Sequence, residues 1–144
     1  MRSIKFETLL NYCVKSQKSL TPTRLMVYRT LDKNNKPISA YDIRNDINLH
    51  NKKDINISTI YRVLEFWIKL GLVHKISSLN KFLLCLEPKE KHIHMLNFCT
   101  KCEKVIETCN KVMGLNFTKV SLKLKFSVNT EKSIEIPVLC SDCK

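Results

Sequence analysis

Four of the seven cysteines fall in two Cys-x-x-Cys pairs, Cys99-Thr-Lys-Cys102 and Cys140-Ser-Asp-Cys143. A two-residue gap lets both sulfurs of a pair reach one ion, and two pairs supply the four thiolates that tetrahedral zinc takes at ~2.3 Å. Residues 103–139 between the pairs are too many for a simple ribbon loop and are expected to fold as a unit that the metal closes. The same residue types also permit buried thiols, disulfides or a thiol–disulfide redox centre. No thioredoxin-like βαβ pattern surrounds either pair, which argues against redox enzymology.

A second set of donors lies upstream. Residues 72–76 and 81–85 read as two short strands flanking 77–80. A hairpin centred on Leu79-Asn80 sets His74 directly opposite Cys85, with Cβ atoms ~4.5–5.5 Å apart. These two strands follow a strongly amphipathic segment. Ser58 or Asn56 caps it, Ile60, Val63, Leu64, Trp67 and Ile68 mark its apolar face, and Gly71 stops it. Tyr61, Arg62 and Glu65 fall on the other face. An exposed Tyr-Arg pair early in a helix suits a groove reader, because Arg forks onto guanine or grips phosphate while Tyr offers a ring to thymine methyls.

Three helices are expected before that segment. Ile4, Leu9, Leu10 and Val14 recur at helical spacing over residues 3–16. Thr21-Pro22 marks a start by an N-cap hydroxyl followed by Pro, and that helix runs to Asn34-Asn35. Ser39 caps a third helix, from Ala40 to about Asn48, and residues 48–54 are expected as a loop. Helices followed by a hairpin read as a winged helix-turn-helix. After the polar stretch 87–91, strands are expected over 92–98 and 103–108. Met113, Phe117, Val120 and Leu124 suggest a helix over roughly 110–125, and Ile134, Ile136 and Val138 alternate as a last strand leading to Cys140.

Composition bounds the partners. The 144 residues are 44% hydrophobic with only 2 Gly and 4 Pro, which fits a globular chain. No apolar run approaches the ~20 residues of a membrane span. The first residues lack an apolar signal core, and seven cysteines without a signal peptide suggest a reducing cytoplasm, where paired thiols more often hold metal than form disulfides. Net charge is +12 and uneven: residues 1–91 hold 17 Lys and Arg against 8 Asp and Glu, whereas residues 92–144 hold 8 against 5. The basic first part is the electrostatic candidate for nucleic acid.

These motifs, in this order, resemble the ferric uptake regulator family, most closely its zinc uptake regulator branch. The resemblance rests on Thr21-Pro-Thr-Arg24, Ser39-Ala-Tyr-Asp42, Ser58-Thr-Ile-Tyr-Arg-Val-Leu64, Gly71-Leu-Val-His-Lys75, Cys85, His92, the Cys99/Cys102 pair with Glu107, and the Cys140/Cys143 pair. It implies an α+β, homodimeric, metal-dependent repressor of double-stranded DNA operators. Residues 1–86 would form the winged-helix DNA-binding domain, 87–91 a hinge, and 92–144 a small α/β dimerisation domain.

Carried over by position, Cys99, Cys102, Cys140 and Cys143 match a structural zinc site. His74, Cys85, His92 and Glu107 match the regulatory site, which makes two zinc ions per chain. Tyr61, Arg62 and Tyr41 match DNA contacts. A thiolate at Cys85 favours zinc over iron by softness. His94 is an alternative ligand, an iron- or peroxide-responsive regulator is the nearest rival function, and a thiol–disulfide enzyme is the more distant one. Glu103 stands where the family often has glycine, which predicts a strained knuckle turn. Since no histidine follows His94, a further site built on C-terminal histidines is not expected.

Overall fold

The computed structural model describes residues 6–34, 36–88, 92–129 and 132–144. The chain divides into two compact units, the first ending at Leu86 and the second beginning at Glu87.

In the first unit, α1 (Phe6–Lys15), α2 (Pro22–Lys33), α3 (Ala40–Asn51) and α4 (Ile57–Lys69) precede a hairpin of β1 (Val73–Ile76) and β2 (Lys81–Leu84). The starts of α2, α3 and α4 each have a polar cap that satisfies an otherwise orphaned backbone donor. Thr21 Oγ1 accepts from Arg24 N at 3.3 Å, Ser39 Oγ from Asp42 N at 3.1 Å, and Asn56 Oδ1 from Thr59 N at 3.0 Å. Of the two residues expected to cap α4, Asn56 does so. The same oxygen accepts the hydroxyls of Ser58 and Thr59.

The end of α4 explains why Gly71 is there. Gly71 N donates to Ile68 O at 2.9 Å, and Leu72 N donates to Trp67 O at 3.0 Å, the paired bonds of a Schellman cap. Gly71 sits at φ +72, a left-handed conformation that a Cβ disfavours.

Trp67 anchors the core. It is fully buried, its Nε1 donates to Arg24 O at 3.1 Å, and Tyr28 and Phe66 meet it edge-on at centroid distances of 5.3 and 4.8 Å. Arg24 also lies 3.7 Å over the Phe66 ring. Val27, Ile43, Ile47, Ile60, Leu64, Leu72 and Phe82 complete the same cluster. One polar bond crosses between α2 and α3, from buried Thr30 Oγ1 to Asp46 Oδ2 at 3.1 Å.

Several boundaries differ from the sequence expectation. α1 buries Leu9 and Cys13, four apart, whereas Leu10 and Val14 turn outward; Ile4 and the other residues before Phe6 lie outside the described residues, as does Asn35. α3 continues three residues past Asn48, ending where Lys52 turns left-handed at φ 48. The hairpin register pairs His74 with Leu83, not Cys85. Its connection is the four residues 77–80, closed by Asn80 N donating to Ser77 O and by Asn80 at φ 49. A hairpin centred on Leu79-Asn80 would have moved the partner of His74 by two residues, from Leu83 to Cys85. Ile38 and Phe82 exchange both backbone bonds, at 3.0 and 2.9 Å, tying the α2–α3 connection to β2.

The second unit is a three-stranded sheet in the order β4-β3-β5, built from β3 (His94–Cys99), β4 (Val105–Cys109) and β5 (Ile134–Val138). β3 is central, antiparallel to β4 and parallel to β5. A parallel neighbour requires a crossover, and α5 (Phe117–Leu124) lies in it. The helix expected from residue 110 begins at Phe117 instead. Gly114 at φ +66 interrupts the chain, and Asn116 caps the new start, so Met113 stays outside it. Of the stretch 87–91, residues 89–91 lie outside the described residues.

Candidate functional site

Cys99 ends β3, the central strand, and is fully buried. The chain then turns back tightly: Glu103 N donates to Cys99 O at 2.9 Å and Cys99 N to Lys104 O at 2.8 Å. Glu103 takes φ +59 in this turn, which is the strain expected of a non-glycine residue there. Thr100 N donates to Val138 O at 3.0 Å, so the knuckle is fastened to the end of β5. Two residues later β5 delivers Cys140, whose N–H points at Cys99 Sγ at 3.5 Å.

The sulfur atoms of Cys99, Cys102, Cys140 and Cys143 all lie within 4.8 Å of one another, with Cys102 and Cys140 at 3.6 Å. A tetrahedron with ~2.3 Å bonds has sulfur–sulfur edges of about 3.8 Å, so the cluster fits a zinc tetrathiolate. Its thiols are not equivalent. Backbone N–H groups of Cys140, Cys102 and Lys101 hold the Cys99 thiol down to about 6. Hydrogen bonds with the Cys140 and Cys102 sulfurs push Cys143 up to about 12. The Cys99 sulfur is thus an acceptor-only thiolate prepared for a cation, while Cys143 retains a proton that a metal would displace. Two lysines steady the terminal turn at Ser141–Cys143, Lys101 Nζ on Cys143 O at 3.0 Å and Lys104 Nζ on Asp142 Oδ2 at 3.3 Å.

A mixed donor set sits on each unit separately. In the first, Cys85 N donates to Leu72 O at 2.9 Å and extends the hairpin ladder by one residue. His74 is then diagonal to Cys85 on the same strand face, and a ring nitrogen of His74 lies within 4.8 Å of Cys85 Sγ. The corrected register therefore still brings the two side chains together, diagonally rather than face to face.

In the second unit, β3 pairs His94 with Cys109 and Leu96 with Glu107, leaving His94 diagonal to Glu107. His94 Nδ1 lies 2.7 Å from Glu107 Oε1. His92 Nε2 is 3.3 Å from His94 Nδ1, and the two rings lie 4.2 Å apart. Asn110 fixes this segment by accepting from Ile93 N at 2.9 Å and donating its own N–H to Ile93 O. The contact of His94 with Glu107 was open to strand periodicity, because positions 92 and 94 share a face, but it needed the β3–β4 register.

The remaining expected site residues lie in the first unit. Arg62 is exposed on α4. Tyr61 is half-buried, its ring edge-on to Phe82 at 6.3 Å, so only part of it faces outward. Tyr41 is 57% exposed in the first turn of α3. No helix among the described residues is long and apolar enough to cross a membrane.

Known proteins share this arrangement. The family model for the Ferric uptake regulator family matches residues 15–136. The "Zinc uptake regulation protein" of Escherichia coli (strain K12) is 31% identical over 132 residues, covering 91% of this chain and 76% of that one. Among solved structures, a "Zinc Uptake Regulator Complexed With Zinc AND DNA" superposes with a TM-score of 0.79 at 28% identity, over 98% of this chain and 96% of the other. Holo XcZur does so with a TM-score of 0.76 at 25% identity, over 95% and 94%. With its winged-helix unit, its α/β unit and its four-cysteine cluster, the chain belongs to the ferric uptake regulator family.

Proposed function

We propose that this protein is a zinc-responsive, DNA-binding transcriptional repressor that controls zinc uptake genes. It acts in the cytoplasm as a homodimer on palindromic duplex operators, as a regulator and not as an enzyme. The observation that carries the reading is the soft His74–Cys85 pair on the unit that also presents Arg62, because a metal held there acts directly on the element that reads DNA.

Residues 1–86 serve as the DNA-binding domain, 87–91 as the hinge and 92–144 as the dimerisation domain. Exposed apolar side chains in the second unit, among them Ile106, Val112, Leu122, Leu124 and Phe126, support its role in subunit pairing. Tyr41, Tyr61 and Arg62 contact DNA. Arg62 is exposed and offers a fork for a bidentate base contact, and Tyr61 contributes its outer edge.

Two zinc ions serve each chain. Cys99, Cys102, Cys140 and Cys143 hold the structural ion. A closed tetrathiolate contributes its binding energy to folding and is not suited to sensing. The regulatory ion takes His74, Cys85, Glu107 and one histidine of the 92/94 pair; the 2.7 Å contact with Glu107 favours His94 over His92. Nitrogen and carboxylate donors beside a single thiolate hold zinc less tightly than four thiolates, so occupancy follows supply. Zinc bound by residues of both units biases them toward the DNA-binding arrangement.

The test is the affinity for an AT-rich palindromic duplex as free zinc is varied. Wild type should gain roughly 5–150-fold, the usual size of such coupling. Cys85→Ser should remain a folded dimer with one zinc per chain and lose that gain. Cys140→Ser should lose helix content and dimerisation even with zinc present. A Cys85→Ser protein that responds like wild type would remove Cys85 from the site.

A further inference from the structure

α1 is apolar on its outer side, where a surface helix is ordinarily polar. Leu9 and Cys13 are buried and Tyr12 packs on the core of the first unit, which accounts for the inner side. Phe6, Leu10 and Val14 recur every four residues on the outer side and are 49, 37 and 71% exposed. Residues four apart are neighbours on a helix, so the three form a continuous stripe about 12 Å long. Among the described residues of the first unit, the other exposed large apolar side chains are Tyr41, Leu49 and Leu86, no two closer than eight residues. Single exposed apolar residues are normal, whereas a contiguous patch marks an interaction surface.

Charge narrows the occupant. Residues 1–91 carry 17 Lys and Arg against 8 Asp and Glu, yet α1 carries one of each, Glu7 and Lys15, both exposed. A neutral apolar stripe does not match phosphate, which draws cations. Glu7 flanks the stripe in the first turn of α1, and Lys15 stands in its last turn. A two-fold axis crossing α1 near Leu10 lays Phe6 of one copy against Val14 of the other. The same axis brings each Glu7 toward the other copy's Lys15. An isologous contact needs one surface that complements itself, and the outer side of α1 does so when run antiparallel.

We propose that α1 is a self-docking surface, through which one repressor dimer pairs with the α1 of a second dimer bound alongside it on the duplex. Stable protein–protein interfaces bury at least about 1,000 Å2, and one face of a ten-residue helix falls short of that. Dimers free in solution therefore stay apart. On neighbouring operators the same two surfaces meet at an effective concentration of order millimolar, and a weak contact then shows as cooperativity. The proposal rests on the reading of the protein as a DNA-binding dimer.

The test uses full-length, zinc-loaded protein and duplexes carrying one or two copies of an AT-rich palindrome, with the spacing stepped through one helical turn. Wild type should sediment as a dimer without DNA. On the two-site duplex its second dimer should bind about 5–150-fold more tightly than its first, at a preferred spacing. Val14→Asp sets a carboxylate against the other copy's Phe6; it should bind the one-site duplex like wild type and lose the gain. Glu7→Lys and Lys15→Glu each bring like charges together and should lose most of it, whereas the double exchange should regain it. Helix stability predicts the reverse order, because the double exchange sets both charges against the helix dipole. Circular dichroism and melting of each variant therefore separate pairing from folding. Independent binding by wild type at every spacing overturns the proposal and leaves the DNA-binding reading intact. So does full cooperativity in Val14→Asp, or a double exchange no better than the single reversals. One-site binding weakened by Val14→Asp would assign the stripe to DNA or to pairing within a dimer, and overturns it too. If wild type does not bind the one-site duplex, the DNA-binding reading fails and the proposal with it.

Discussion

His94 Nδ1 and Glu107 Oε1 lie 2.7 Å apart across a diagonal of the β3–β4 ladder, and the Glu107 side chain is only 5% exposed. A carboxylate buried to that degree requires a cationic or hydrogen-bonding partner, and here the partner is an imidazole, a group suited to metal ligation. His94→Ala should therefore reduce zinc content from two ions per chain to one and abolish the zinc-dependent gain in DNA affinity. His92→Ala should retain two ions and lose at most part of the gain. Metal analysis of the purified variants decides between them, and the reverse pattern would make His92 the ligand.

Arg62 projects from the exposed side of α4 while Ile60, Val63, Leu64 and Trp67 of the same helix are buried. Removing it should leave the fold unchanged and weaken operator binding by about 1–3 kcal/mol, the size of a bidentate base contact. Tyr61→Phe keeps the ring on Phe82 and should cost less. Fluorescence anisotropy on specific and scrambled duplexes would show whether the Arg62 loss falls on the specific sequence. Both affinities should decline steeply with salt, because Lys and Arg displace counterions from phosphate.

Glu103 occupies a left-handed conformation at φ +59 in the turn of the first knuckle. A non-glycine residue held there costs about 1–3 kcal/mol, partly offset by the greater unfolded-state freedom of glycine. Glu103→Gly should stabilise the zinc-loaded protein by roughly 1 kcal/mol. Glu103→Ala controls for the lost charge and should show no such gain. Thermal melts with zinc in excess compare the two, and equal midpoints would mean that the turn is unstrained.

The Cys99 thiol is held down to about 6 by backbone N–H groups, from an ordinary value near 9. A depressed pKa contributes stability that is full above the unfolded value and is lost as pH falls through the folded one. In zinc-free protein the stability difference between wild type and Cys99→Ser should thus shrink from pH 9 to pH 6. Cys143, raised to about 12, has the opposite sign: its contribution is full below pH 9 and declines as pH rises toward 12. Denaturant titrations of chelator-treated protein at pH 6, 7.5 and 9 measure the first effect. A difference that is flat across this range would mean that the Cys99 sulfur keeps its proton in the fold.

Local chemistry was legible before any tertiary contact. Thr21-Pro22, Ser39 and Gly71 announce helix ends because capping depends on hydrogen bonds only two to five residues away. The buried face of α4 follows from the 3.6-residue period alone. The two Cys-x-x-Cys pairs specify a four-sulfur site because each pair is geometrically complete by itself, and bringing two such pairs together needs only that the intervening chain close. The strain at Glu103 was expected from the family resemblance instead, because glycine is common at that position.

What local spacing could not decide was register. His74 against Leu83, with Cys85 on the diagonal, depends on a four-residue connection and on Asn80 turning left-handed, and two-residue and four-residue turns fit the same apolar runs. His92 precedes β3 by two residues and lies against His94, and the contact of His94 with Glu107 depends on which residue of β4 lies opposite. Periodicity and caps are properties of one segment, and the amino-acid sequence determines them directly. Pairing across strands and the enclosure of a polar atom are properties of two segments at once, and only the folded chain decides them.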